Sequence, residues 1–207
     1  MERMDRVRRW GGLIWVGAGL VAMLAWIATT PASPPGLVTW IVVGTVAAGT
    51  LAMLVAPNQK LRWWGGRVAG IAIGFELVGA VGDRFGLLGR PGSPGVSWGD
   101  WSHFRAETAE LVPWDALVQP AAIAATTAEL TLGLLLLVGA WWRWTGKATA
   151  GLFAVYLIAM VPEMGSASVL EYGVPVLIGG ALVASARGTR IASKGDGLGI
   201  LQASARV

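Results

Sequence analysis

A chain of 207 residues with 55% apolar and only 14% charged side chains, and a mean hydropathy of +0.61, is not organised around a water-driven globular core. Those values belong to a polytopic membrane protein, and the net charge of +4 sits in short caps between apolar runs rather than in a basic stripe, which argues against a nucleic-acid partner. With no cysteine and one histidine, the chain holds no disulfide, thiolate metal site, iron–sulfur cluster or bis-histidine haem. No intrinsic cofactor or metal is therefore expected, and any redox group must come from a substrate or another subunit.

Six apolar runs follow in chain order, at about 10–29, 37–56, 67–82, 119–140, 148–161 and 170–186. The expected fold is all-α, a polytopic membrane bundle of six transmembrane helices in contact with the lipid bilayer. A crossing needs roughly 17 to 25 residues, so the third, fifth and sixth helices must extend past their apolar runs or thin the bilayer around them. The first run has a basic start and small residues near "ATTPAS". Its length, with Trp15 and Trp26 inside it, reads as a retained anchor rather than a cleaved signal peptide.

Lysine and arginine give the orientation. With the N-terminus inside, thirteen of the sixteen fall on cytoplasmic segments, and only Arg84, Arg90 and Arg105 fall outside. An even number of crossings follows, with both termini cytoplasmic. Tryptophans cluster at the ends of the runs, as in an aromatic belt. Residues 189–207, rich in Gly, Ser, Ala and Lys, read as a cytoplasmic tail.

The loop 83–118 is the one long connection. Its first part is rich in glycine and proline and reads as turns. "SHFRAETAELV" reads as a short amphipathic surface helix, with Asp100 or Ser102 as N-cap and His103–Glu107 as an i, i+4 pair.

Acidic residues inside apolar runs are the strongest functional signal. An acidic side chain at a helix centre costs roughly 2.5 to 3.5 kcal/mol, so something must offset it. Glu76 and Glu129 lie near the middles of consecutive antiparallel helices, at similar depth. If they face each other they do not both ionise readily. Such acids mark proton or substrate paths, or act as packing glue through hydrogen bonds, here with Thr126 one turn before Glu129. Asp83 and Arg84 end the third run and read as interfacial partners of Glu107 or Glu110, or as the mouth of a polar path to Glu76. Trp98, Trp101, His103, Glu107, Glu163, Glu171 and Tyr172 are the remaining candidates for that outer mouth. Pro175 reads as a kink in the sixth run. Gly66, Gly70 and Gly74 recur every four residues, a close-packing signal on the side of the helix away from Glu76.

The segments "DRFGLLGRPGSPGVSWGDWSHF" and "AELTLGLLLLVGAWWRWTGKA" resemble the DoxX-like family of bacterial membrane proteins, over residues of about 67–188. The resemblance implies a four-helix membrane domain at 63–188, with residues 1–62 as two added N-terminal transmembrane helices. It also implies a link to thiosulfate:quinone oxidoreductases, in which one small membrane subunit is DoxX-like. The functional expectation is a non-catalytic module that binds a partner membrane subunit or a lipid-soluble molecule. The alternatives are a quinone-linked oxidoreductase subunit, with quinone as cofactor, and a small-solute or proton carrier using Glu76 and Glu129.

Overall fold

The computed structural model describes residues 2–29 and 35–186, with side chains from residue 6 onward. The described residues form seven helices and no strand: α1 (Glu2–Thr29), α2 (Leu37–Val55), α3 (Gln59–Arg84), α4 (Trp101–Leu111), α5 (Asp115–Val138), α6 (Trp142–Glu171) and α7 (Val174–Ser185). Residues 30–34, which hold most of the small-residue stretch weighed against a signal-peptide reading, and the tail at 189–207 lie outside the described residues.

Five helices are long and apolar enough to cross a membrane: α1, α2, α3, α5 and α6. Their outer surfaces carry large bare apolar side chains, among them Ile14, Leu37, Leu134 and Ile158. So much exposed apolar surface is what a lipid-facing bundle presents and what a water-soluble monomer avoids.

The sixth expected crossing differs from the reading of 170–186 as one helix. α6 runs on to Glu171, with a break at Gly165 (φ 80°), and α7 starts only at Val174. Gly173 separates the two in the left-handed conformation (φ 64°), which glycine adopts without a Cβ penalty. Pro175 does not kink a long helix. It occupies the first turn of α7, where its missing N–H has no intrahelical partner to lose. The remaining 12 residues rise roughly 18 Å, short of the roughly 30 Å hydrocarbon thickness. Nearly all of α7 is buried, so its apolar character all round reflects enclosure by other helices.

Glycines set the helix contacts. A Cβ on Gly12 would meet the Gly179 carbonyl at 2.7 Å, bringing α1 against α7, and one on Gly65 would meet the Gly49 carbonyl at 2.5 Å, bringing α2 against α3. A Cβ on Gly74 would meet the Gly133 carbonyl at 3.0 Å, which ties α3 to α5, whereas one on Gly70 would meet the Ala184 side chain only at an ordinary 3.4 Å. The two N-terminal helices are thus packed into the same body as the rest. Arg67 donates to the Leu136 and Leu137 carbonyls, satisfying the last turn of α5 just before its left-handed cap at Gly139.

Candidate functional site

The Gly74–Gly133 contact fixes the relative depth of α3 and α5. In the same direction, α3 passes Glu76 and ends at Arg84, while α5 passes Glu129 and Thr126 and continues to Asp115. α3 therefore stops about two turns short of the Asp115 end of α5, and α4 covers it. Arg84 is the last helical residue of α3 and only 2% exposed. Its Nη2 lies 2.6 Å from Glu129 Oε2, with both side chains almost wholly buried. Its Nη1 donates to Thr126 Oγ1 at 2.9 Å. Tyr156, on α6, donates its hydroxyl to Glu129 Oε1. The contact at Oε2 is an ion pair without hydrogen-bond alignment, and Arg84 Nε has no hydrogen-bond partner.

Aromatic faces close over the guanidinium. Its carbon lies 3.7 Å from the Phe104 ring centroid and 4.9 Å from that of Trp98. Trp101 stacks on Phe85 at 5.9 Å and leans on Phe104 at 5.6 Å. Guanidinium on aromatic faces is a favourable desolvated contact, so the cation is held by a carboxylate below and rings above.

Asp83 holds the loop that carries those rings. Its carboxylate accepts from the consecutive backbone N–H groups of Ser97 and Trp98, both at 2.9 Å, and from Gly99 at 3.3 Å. Gly99 must be glycine: its φ is +71°, and a Cβ there would lie 2.3 Å from the Pro91 nitrogen. Trp98 Nε1 donates to Glu107 at 2.6 Å. Burial pushes the Glu107 carboxyl above its ordinary range, and the Trp98 bond opposes that shift. Tyr172, between α6 and α7, hydrogen-bonds Ser97, and burial pushes its hydroxyl up to about 12.

Asp100 is the N-cap of α4, accepting from the His103 N–H and from Ser102 Oγ. Its carboxyl sits well below the usual range because of the Ser102 bond, then the backbone and ring of His103. His103 pairs with Asp100 through Nδ1 at 2.9 Å, so it is not the partner of Glu107 that helical spacing suggested.

The structure thus gathers Glu129, Thr126, Arg84, Asp83, Trp98, Trp101, Glu107 and Tyr172 into one cluster where α4 and its preceding loop cover the end of α3. His103 lies exposed at its rim, and Glu163 and Glu171 are exposed on α6. Glu76 is not the hydrogen-bonded partner of Glu129. It stands within electrostatic reach of it, in the C-terminal half of α3. Two contributors escaped sequence reasoning. Tyr156 has its hydroxyl inside an apolar run, and that lone polar atom was the available signal. Phe104 lies on the apolar side of α4, and its spacing carries no sign that the ring meets a guanidinium. Among the described residues no group of three or more His, Asp or Glu side chains is placed to hold a metal ion.

Comparison of the chain with family models, curated proteins and solved structures finds no match.

Proposed function

We propose that this chain is a non-catalytic, DoxX-like module of a bacterial plasma membrane that positions a partner subunit or a lipid-soluble molecule, with both termini cytoplasmic and six crossings, the sixth made by α7 together with the segment of α6 after its Gly165 break. The observation that carries this reading is the Arg84–Glu129 pair, 2.6 Å apart and sealed from solvent. A carboxylate held by a guanidinium and a phenol is engaged in joining α3, α5 and α6 beneath the cap. It has no open side for a substrate in this arrangement. The cavity lined by Arg9, Met53 and Trp63 does not touch it. The test is mass spectrometry of what stays bound after mild purification in native lipid, for wild type and Glu129→Gln. A stoichiometric protein partner in both, with a lower melting temperature for the variant, is expected. A quinone present in wild type and lost in the variant would make the chain a redox subunit instead.

A second reading, a proton or small-solute carrier, draws on Glu76. This half-buried acid has no hydrogen-bond partner and feels the charge of Glu129. It requires flux in liposomes that disappears with Glu76→Gln.

A further inference from the structure

At the opposite end of the bundle from the Arg84 cluster, α1, α2 and α3 leave a cavity of about 290 Å³. Arg9, Met53, Pro57, Gln59, Arg62 and Trp63 line it. Arg9 Nε is buried there without a hydrogen-bond partner. Arg62 spends its Nε on the Ala56 carbonyl at 2.9 Å, which keeps the guanidinium in place and leaves its two terminal nitrogens for the cavity.

The surrounding charge is of one sign. Between Asp5 and Glu76 the sequence contains no acidic residue, and none lies between Glu129 and Glu163. Arg6, Arg8, Lys60, Arg67, Arg143 and Lys147 share this end of the bundle. The acids nearest in sequence are Glu2 and Asp5, whose side chains lie outside the described ones. α3 also begins at the cavity. Its N-cap Asn58 takes only the Leu61 N–H, so the other first-turn N–H groups add positive potential. Trp63, with the exposed Trp10 and Trp64, marks this end as the depth where a bilayer's headgroups sit.

We propose that this cavity binds a phosphate anion, held by Arg9 and Arg62. The chemistry is common to an anionic phospholipid headgroup and to free phosphate. Arginine suits it because its fork of N–H donors matches phosphate oxygens. Basic pockets between helices at a headgroup interface are also where anionic lipids are recognised.

The test uses the full chain in detergent. In one arm, native mass spectrometry compares retention of phosphatidylglycerol and phosphatidylcholine. In the other, inorganic phosphate is titrated while the melting temperature is followed. Preferential one-to-one retention of phosphatidylglycerol, weakened about tenfold or more in Arg9→Gln/Arg62→Gln, identifies a lipid headgroup. A melting temperature that rises with inorganic phosphate, without lipid preference, identifies a soluble phosphate and supports the same site. In both cases Arg143→Gln/Lys147→Gln, which removes equal charge outside the cavity, should behave as wild type. Equal retention of the two lipids with no response to inorganic phosphate would overturn the proposal. So would an equal loss in the control variant. If the Arg9/Arg62 variant does not fold, the wild-type comparison of the two lipids decides.

Discussion

Glu129 would be costly alone in the bundle, and Arg84 would be equally costly. Together, with Tyr156 and Thr126, each supplies what the other lacks. The cost of dehydrating both ions stays, so the pair holds geometry more than it adds net stability. Glu107 shows the opposite balance. It is buried by the cap, accepts from Trp98, and faces Glu110, Arg84 and Tyr172. Its carboxyl is raised above the unfolded value of about 4.3. A raised carboxyl binds protons in the folded state at a pH where the unfolded state has released them. Its stabilising contribution is therefore complete below about pH 4.3 and is lost as pH rises through the folded value. Asp100 contributes with the opposite sign, present above the unfolded value of about 3.9 and lost as pH falls through its depressed one. Glu107→Gln keeps an acceptor for Trp98 and removes the titration. Melting of wild type should fall relative to this variant as pH rises above about 4.3, and parallel curves for the two would refute the assignment.

At the scale of helices, close approach rather than side-chain interlocking joins α2 to α3 and α1 to α7. Gly65→Ala places a methyl group 2.5 Å from the Gly49 carbonyl, so the two backbones must separate. A loss of about 1–3 kcal/mol is expected from overpacking. Gly44→Ala, with nothing within 4 Å, should gain up to about 1 kcal/mol from helix propensity. Denaturation in detergent checks both, and similar outcomes for the two would contradict the packing. The same scale shows what was legible beforehand. α1, α2 and α5 stood out as long apolar runs, and α4 announced itself by an N-cap followed by amphipathic spacing. α7 did not, because a short helix enclosed on all sides is as apolar as a crossing one, and only Gly173 marks its start. Glu129 was legible as an acid in an apolar run. Its partner was not: Arg84 ends a helix, and nothing in linear spacing shows that this end lies beside α5 under a cap. Pairing Glu129 with Glu76 followed from equal depth, and side-chain reach from the next turns of α3 decided otherwise.

For the whole molecule, α3 separates a basic end, with Lys60 and Arg62, from an opposite end built of the cap and its acids. The lack of cysteine makes this testable with single labels. In intact cells, an impermeant maleimide should modify Ser93→Cys and should reach Lys60→Cys only after permeabilisation. Equal labelling of both before permeabilisation would place the two ends of α3 on one side of the membrane.

The claim on which the rest depends is that a buried charge pair fastens the cap to the bundle. A double-mutant cycle on Arg84→Met and Glu129→Leu measures it, with stability read by denaturation in detergent. Each single change should cost about 3–5 kcal/mol, since it strands the other charge in an apolar setting. The double variant should recover most of that loss. Additive losses would mean that the two side chains act independently, and the account of the site would be wrong.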